Sequence, residues 1–196
     1  MPMIIKDKRK LKQKCLSVSI KEGEEIAVRL LQELRESKNG IGLAANQIGI
    51  NKRVCVVNVK QPIALINPTI KEHSETKFPF AEGCLSFPNK KVKTERYTWI
   101  KVVADNHEDE LYFSADSGDI NDAFECACIQ HEIDHLDGIT MFDRKRPSAT
   151  VKRKGKKINT IKYKKKGVTW YYDKRRKIHR NYDTKIFYNK LKEYRA

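Results

Sequence analysis

The residues best suited to chemistry lie in one short stretch, Gln130 to Thr140. It contains an H-E-x-x-H motif built from His131, Glu132 and His135. On a helix, residues i and i+4 lie one turn apart on the same face, so both imidazoles can bind one divalent metal ion. Glu132 projects beside that metal and can take a proton from a bound water. The motif therefore predicts a catalytic metal centre. Two surface histidines on an ordinary helix are the simpler alternative.

Two histidines leave such a centre incomplete, because a catalytic site needs a third protein ligand and an open position for water. Glu, Asp, His and Cys are all suitable ligands. After the motif the candidates are Asp137, Asp143 and His179, and before it Cys84 stands in the segment E-G-C-L-S. Cys84, which follows a glycine, is a strong ligand candidate. The alternative is that Cys84 is simply a small buried residue.

The cysteine count and the N-terminus indicate the compartment. The chain has five cysteines, an odd number, and its first residues M-P-M-I-I-K-D-K-R-K form no apolar leader. Reduced thiols and a cytoplasmic setting are therefore expected, without a disulfide framework. No run of eighteen apolar residues exists in the sequence, so we expect no transmembrane helix and no membrane partner.

The formal net charge of +16 is concentrated at one end of the chain. Residues 1–143 contain 20 Lys and Arg against 22 Asp and Glu, a net charge of −2. Residues 144–196 contain 21 basic and 3 acidic residues, a net charge of +18. The sequence thus predicts two domains, a catalytic domain over 1–146 and a basic, aromatic extension over 147–196.

The elements that must position the motif follow from periodicity. Apolar residues at helical spacing predict a first helix over Lys21–Lys38, and the stretch Ala123–Leu136 predicts the helix that carries the motif, ended near Gly138. Strand-like runs are Arg53–Val59, Ala64–Lys71 broken at Asn67-Pro68, Tyr97–Ala104 and Glu110–Ala115, the last two joined by a loop in which His107 is expected to be solvated. Residues 1–20 are expected to form a loop. The predicted fold class is α+β, with mostly antiparallel strands packed around a central metal-binding helix.

The extension has its own pattern. Apolar residues on either side of Lys164–Gly167 predict a β-hairpin, and Thr184, Phe187, Leu191 and Tyr194 recur at the spacing of a short terminal helix.

Three segments together resemble the signature motifs of peptide deformylases. They are G-I-G-L-A-A-N-Q, which ends at Gln47, then E-G-C-L-S around Cys84, and Q-H-E-I-D-H-L-D-G, which contains His131 and His135. The resemblance covers about residues 1–146. It implies a metal-dependent hydrolase that removes the formyl group from the N-terminal formyl-methionine of nascent chains and releases formate, with a metal-bound water as the nucleophile.

The resemblance also implies the roles of individual residues. It makes Cys84, His131 and His135 the metal ligands, and Glu132 the catalytic acid and base. Gln47 and the backbone N–H of Leu85 would stabilise the oxyanion. The substrate contacts would be Ile41, Gly42 and Gly83, and the pocket for the methionine side chain would be lined by Phe124 and Ala127. Members of the family often have a larger aliphatic residue where this chain has Ala127. Arg96 also matches a family arginine, without an assigned role.

The implied cofactor is one divalent metal ion per chain, iron(II) by resemblance, with zinc, nickel or cobalt able to replace it. The implied partners are formyl-methionine nascent peptides. The basic extension adds a hypothesis of its own, binding to the ribosome through ribosomal RNA. Two alternative functions are a ribosome- or RNA-binding protein with an inactive or structural metal site, and a metallopeptidase.

Overall fold

The computed structural model describes residues 4–37, 40–146, 160–165, 168–173 and 178–181. The chain divides into two units, Met1–Arg146 and Pro147–Ala196. All the residues to which the resemblance assigns a role in catalysis, metal binding or substrate binding belong to the first unit, whereas the candidate ligand His179 belongs to the second.

The described part of the first unit alternates a few helices with antiparallel strands. In chain order its elements are α1 (Lys8–Leu11), α2 (Ile20–Glu36), β1 (Gly42–Ala44), a 3-10 turn (Ala45–Ile48), β2 (Val54–Asn58), β3 (Pro62–Ile66), β4 (Thr69–His73), β5 (Lys77–Cys84), β6 (Phe87–Tyr97), β7 (Trp99–Val103), β8 (Leu111–Ser114) and α3 (Ile120–Leu136). The strands form sheets in the orders β1-β2-β3, β4-β7-β8 and β5-β6, and all their ladders are antiparallel.

Helix α3 is the central element of this unit. The Asp119 side chain accepts a hydrogen bond from the backbone N–H of Asn121 (2.8 Å) and so caps the helix start. Every residue from Glu125 to Leu136 is buried. The chain leaves the helix through Gly138, whose φ of 71° favours glycine, and a Cβ there would also overlap the backbone carbonyl of Lys12. A helix buried on all sides can hold its polar side chains in fixed positions.

Strand β2 separates two hydrophobic cores. Its residues Val54 to Val57 are all fully buried. Because alternate side chains point to opposite faces of a sheet, Cys55 and Val57 pack into the core that surrounds α3, whereas Val54 and Val56 face α2. The sheet β1-β2-β3 is therefore covered by a helix on each face, and β1 is held in place next to α3.

Helix α2 supplies the outer cover of that sheet. Ser19 caps it by accepting a hydrogen bond from the backbone N–H of Glu22 (3.3 Å). Ile26, Leu30 and Leu34 recur at helical spacing and are buried against the sheet. The helix predicted over Lys21–Lys38 is thus present, with its end at Glu36.

The α+β class with antiparallel strands is confirmed, and several local predictions need correction. Residues 1–20 are not merely a loop, because they include α1 and a parallel bridge from Leu16 to Lys52. The single broken strand predicted over Ala64–Lys71 is two strands, β3 and β4, which belong to different sheets. His107 is not idle in solvent, since its Nε2 lies 3.0 Å from the carbonyl oxygen of Ala64.

In the second unit the described residues form a separate antiparallel sheet. Its strands are β9 (Thr160–Lys165), β10 (Val168–Asp173) and β11 (Ile178–Asn181), in the order β11-β10-β9. Strands β9 and β10 lie where the sequence predicts a hairpin, and β11 was not predicted. The helix predicted from Thr184 to Tyr194 lies outside the described residues. Among the described helices, none has the length and apolar character needed to cross a membrane.

Candidate active site

Three potential metal ligands meet at the C-terminal part of α3. Cys84 is the last residue of β5, while His131 and His135 occupy consecutive turns of the helix. Their ligand atoms all lie within 4.8 Å of one another, and Cys84 Sγ is 3.2 Å from His135 Nε2. The two imidazole rings stand nearly perpendicular, at 84°. The structure therefore brings together the three residues that the sequence names as ligands.

A tight turn presents Cys84 to the helix. Cys84 pairs with Phe87 across the β5-β6 hairpin, so only Leu85 and Ser86 separate the two strands. The Gln47 side chain fixes this turn, because its Nε2 donates to Ser86 Oγ (3.1 Å) and approaches Cys84 Sγ (3.4 Å). The Gln47 Oε1 accepts the backbone N–H of Ala44 (2.8 Å), which sets the orientation of the amide. The Gln47 amide thus lies beside the cysteine as a hydrogen-bond donor, and Leu85 follows the cysteine in the turn.

The outer nitrogen of His131 is occupied by Glu82. The His131 Nδ1 lies 2.8 Å from Glu82 Oε2, so the Nε2 of this ring is left to face Cys84. Glu82 itself is 2% exposed and accepts from Thr94 Oγ1 and from both Nε and Nη2 of Arg96. Burial on its own would raise the pKa of Glu82, but the hydrogen bonds from His131 and Arg96 hold it below its usual range.

A second buried carboxylate continues this network. Asp134, on α3 between the two histidines, accepts from Arg96 Nη1 and from two nitrogens of Arg144. Arg96 and Asp134 are both largely buried. The ligand helix is thereby tied to strand β6 and to the segment that follows the helix. From the sequence, Arg96 matched a family arginine without an assigned role, and no role was predicted for Glu82, Asp134 or Arg144.

Glu132 is a buried carboxylate whose surroundings suit proton transfer. It is 4% exposed, and its Oε2 has no hydrogen-bond partner among the described residues. Burial raises the pKa of Glu132 to about 7, although the charge of His131 acts in the opposite direction. Gly42 lies directly against this carboxylate, because a Cβ on Gly42 would overlap Glu132 Oε1. A carboxyl group with a pKa near neutrality can both accept and return a proton.

The residues predicted to contact substrate lie around this centre with unequal exposure. Ile41 and Gly42 lie at the start of the edge strand β1, and the half-buried Ile41 packs its side chain against the core around α3. Gly83 is exposed, and a Cβ at this position would meet no atom within 4 Å. Phe124 is half-buried and packs on Phe80, with ring centroids 5.6 Å apart. Ala127 is fully buried, so of the two predicted pocket residues only Phe124 presents surface.

The donor set fits a catalytic metal. A thiolate and two imidazoles form a recognised tetrahedral ligand set with one position left over, whereas structural zinc sites use four protein ligands. Among the described residues the candidate cluster has three members. Metal-bound histidines usually donate their other ring N–H to a carboxylate or carbonyl, and Glu82 offers its carboxylate to the outer nitrogen of His131 in this way. The three candidate ligands and the buried Glu132 are thus the residue types that a metal-dependent hydrolase requires.

Comparison with known proteins identifies the class further. The family model for polypeptide deformylase matches residues 1–151. A peptide deformylase from Heliobacterium modesticaldum is 45% identical over 106 residues, which are 54% of this chain and 66% of that protein. One from Desulforudis audaxviator is 43% identical over 123 residues, which are 62% of this chain and 76% of the relative. The crystal structure of the peptide deformylase from Thermotoga maritima has a TM-score of 0.63 and 32% identity, and covers 70% of this chain and 92% of that one.

The chain belongs to the polypeptide deformylase family, whose members are hydrolases that remove N-formyl groups from nascent peptides. The resemblance drawn from the three motifs is therefore confirmed. The matched residues end near the boundary between the two units, and most of the extension lies beyond them.

Proposed function

We propose that this chain hydrolyses the formyl group of N-terminal formyl-methionine on nascent polypeptides, with one divalent metal ion held by Cys84, His131 and His135. The observation that carries the proposal is that these three ligand atoms lie within 4.8 Å of one another, on and beside the helix that also carries the buried Glu132. When bound, the metal would act as a Lewis acid and lower the pKa of a water from about 16 toward neutrality. Iron(II) is the proposed physiological ion, and zinc, nickel or cobalt would bind the same ligands.

The protein side chains have distinct tasks in this proposal. Glu132 takes the proton of the attacking water and later delivers it to the leaving amine. The Gln47 amide and the Leu85 backbone N–H donate to the oxyanion that develops on the formyl group, and one such donor is typically worth about 3–4 kcal/mol. The half-buried strand edge at Ile41 and Gly42, together with the exposed Gly83, would position the peptide backbone, while Phe124 would contact the methionine side chain.

The test is formate release from a formyl-Met-Ala-Ser peptide by full-length protein, purified anaerobically with iron or reconstituted with nickel. Glu132→Gln is the matched control, because it keeps the size and burial of the side chain and removes its ability to take a proton. Formate release that is lost in Glu132→Gln while metal content is unchanged supports the proposal. No release from fully metallated wild-type protein would overturn it.

The competing functions gain no support from the site. A structural metal site needs neither Glu132 nor Gln47 nor an open coordination position. A metallopeptidase of the H-E-x-x-H type would use an acidic or histidine third ligand, whereas here the third group beside the histidines is Cys84. The named relatives are peptide deformylases as well.

A separate proposal concerns the extension, and it rests on charge alone. We propose that residues 147–196 bind ribosomal RNA, since they contain 18 Lys and Arg against 3 Asp and Glu, a net charge of +15. Contacts between Lys or Arg and phosphates release counterions, so the affinity for ribosomes should fall steeply as salt rises. Ribosome binding would be titrated with salt for the full chain and for residues 1–146. Equal affinity of the two proteins would refute the proposal.

A further inference from the structure

Arg144 makes a two-point contact with the ligand helix from outside it. Its Nη2 donates to Asp134 Oδ1 (2.7 Å) and its Nε to Asp134 Oδ2 (3.1 Å). The Arg144 side chain is 38% exposed, whereas that of Asp134 is 9% exposed. A guanidinium that grips both oxygens of a carboxylate fixes its orientation as well as its charge. Arg144 therefore holds Asp134 from the solvent side.

Asp134 is the first link of a continuous path to a metal ligand. Its Oδ2 also accepts from Arg96 Nη1. Arg96 in turn donates to both oxygens of Glu82, through Nε to Oε1 and through Nη2 to Oε2 (2.9 Å). Glu82 Oε2 meets the Nδ1 of His131 at 2.8 Å. Three side chains thus connect Arg144 with the imidazole of His131.

The charges of this network balance only when Arg144 is included. Two buried carboxylates, Glu82 and Asp134, face two guanidinium groups, Arg96 and Arg144. Without Arg144, both carboxylates would compete for the single guanidinium of Arg96. Because an uncompensated buried charge is strongly unfavourable, Arg96 would move toward Asp134 and release part of its hold on Glu82. The orientation of His131 depends on that hold.

We infer that Arg144 is a positioning residue. It orients the metal ligand His131 through Asp134, Arg96 and Glu82. This inference rests on the proposed function in taking His131 as a metal ligand. It assigns a task to a residue that touches neither metal nor substrate.

The backbone around Arg144 is held by other contacts, so its side chain can be removed without freeing the segment. Asp143 Oδ2 accepts from both the backbone N–H and the hydroxyl of Thr140. Lys145 forms a bridge with Thr94, and the Arg146 N–H donates to the Lys93 carbonyl (2.8 Å). Loss of the Arg144 guanidinium should therefore act on Asp134 and not on the path of the chain.

The experiment compares full-length wild type with Arg144→Gln, Arg144→Lys and Arg146→Gln. The last is the matched control, because Arg146 lies two residues away and pairs with the exposed Glu95 (3.0 Å), outside the network. Metal-free protein would be titrated with cobalt(II) against a competing chelator, and the visible absorption of bound cobalt would be recorded. Formate release would give kcat and KM for the metallated proteins.

Removal of a residue that orients a metal ligand typically weakens metal binding or activity by 10- to 100-fold. Because Arg144 reaches His131 only through three intervening side chains, we expect the lower end of that range, about 10-fold. We expect Arg144→Gln to bind cobalt about 10-fold more weakly, with an altered absorption spectrum and a lower kcat at unchanged KM. Arg144→Lys, which keeps the charge but contacts one oxygen, should fall between Arg144→Gln and wild type. Arg146→Gln should match wild type.

The inference would be overturned if Arg144→Gln and Arg146→Gln had the same cobalt affinity and the same absorption spectrum. The same would follow if Arg144→Lys lost as much as Arg144→Gln, since the charge would then be irrelevant. If circular dichroism shows that Arg144→Gln is unfolded, the comparison of Arg144→Lys with Arg146→Gln decides in the same way. If the wild-type protein binds cobalt but releases no formate, the proposed function is refuted. The cobalt titration of the variants then still decides whether Arg144 positions His131.

Discussion

Gly42 offers a test of how closely the surrounding backbone confines the carboxylate of Glu132, the proposed acid and base. The substitution Gly42→Ala adds one methyl group on the edge strand β1, at a position where the backbone lies against Glu132. The new Cβ would stand 3.0 Å from Cγ and 2.8 Å from Cδ of Glu132, and would overlap Oε1. Ordinary contacts of a Cβ atom begin near 3.4 Å. Either the carboxylate or the strand must move.

The required movement sets the size of the effect. Raising the Cβ–Cδ distance from 2.8 Å to 3.4 Å takes 0.6 Å, and the overlap with Oε1 demands more. Strand β1 is paired with β2 and its Leu43 and Ala44 are fully buried, so the backbone has little freedom to retreat. Glu132 must then shift by nearly 1 Å, a misplacement that costs roughly 100-fold in rate, or about 2.7 kcal/mol in the barrier.

The assay is formate release under saturating substrate, with kcat as the decisive quantity. Gly83→Ala is the comparison variant, because the same methyl group would meet no atom within 4 Å there. Its kcat should stay at the wild-type value, and any loss should appear in KM. Thermal unfolding of both variants would check that each is folded. A folded Gly42→Ala protein with the same kcat as Gly83→Ala would refute the view that this contact confines Glu132.

Three further predictions concern stability. Leu30 is fully buried between α2 and the sheet β1-β2-β3, so Leu30→Ala should lower the free energy of unfolding by about 3 kcal/mol in urea titrations, and a loss below 1 kcal/mol would contradict the packing. Burial alone would raise the pKa of Asp143, but hydrogen bonds from Thr140 and Lys12 lower it from 3.8 to about 2. The ionised Asp143 therefore makes its full contribution to the free energy of unfolding above its unfolded pKa of 3.8 and loses it as the pH falls toward 2. The difference in urea midpoint between wild type and Asp143→Asn should shrink over the same range of pH. Removal of the metal by a chelator should lower the Tm of the wild-type protein. If the free metal had been at 100 times its Kd, the lost stability is about 2.7 kcal/mol. The same chelator should leave the Tm of His135→Ala unchanged, because this variant lacks a ligand.

The elements with a clear apolar period could be predicted from the sequence. Helices α2 and α3, strand β2 and the hairpin β7-β8 all appear where the pattern places them. Strands β5 and β6 were not predicted, although buried and exposed side chains alternate along the second half of β6. Its inward residues are Val92, Thr94 and Arg96, and only the first of these is apolar. Because charged side chains stand on both faces of the strand, no alternation of apolar and polar residues marks it.

The candidate site was also predictable only in part. The three proposed ligands and Glu132 belong to short motifs, and the structure places the three ligand atoms within 4.8 Å of one another. The ionic network behind them was not predictable, because nothing in the sequence shows that Glu82, Arg96 and Arg144 belong to one network. Their partners come from β5, β6, α3 and the segment after the helix, and only the tertiary pairing shows which charges are buried together.

The burial of this network is itself informative about function. Replacing buried ion pairs with well-packed apolar side chains is often neutral or stabilising, so the pairing of Arg96 with Glu82 and Asp134 is weak evidence for a role in stability. An apolar group in place of Glu82 would leave the Nδ1 of His131 without its 2.8 Å partner, and the ring would lose the contact that selects its tautomer. The same reasoning applies to Gly42, where a Cβ would displace Glu132. At both places the chain keeps the residue that orients a reacting group, which is where local sequence rules are expected to fail.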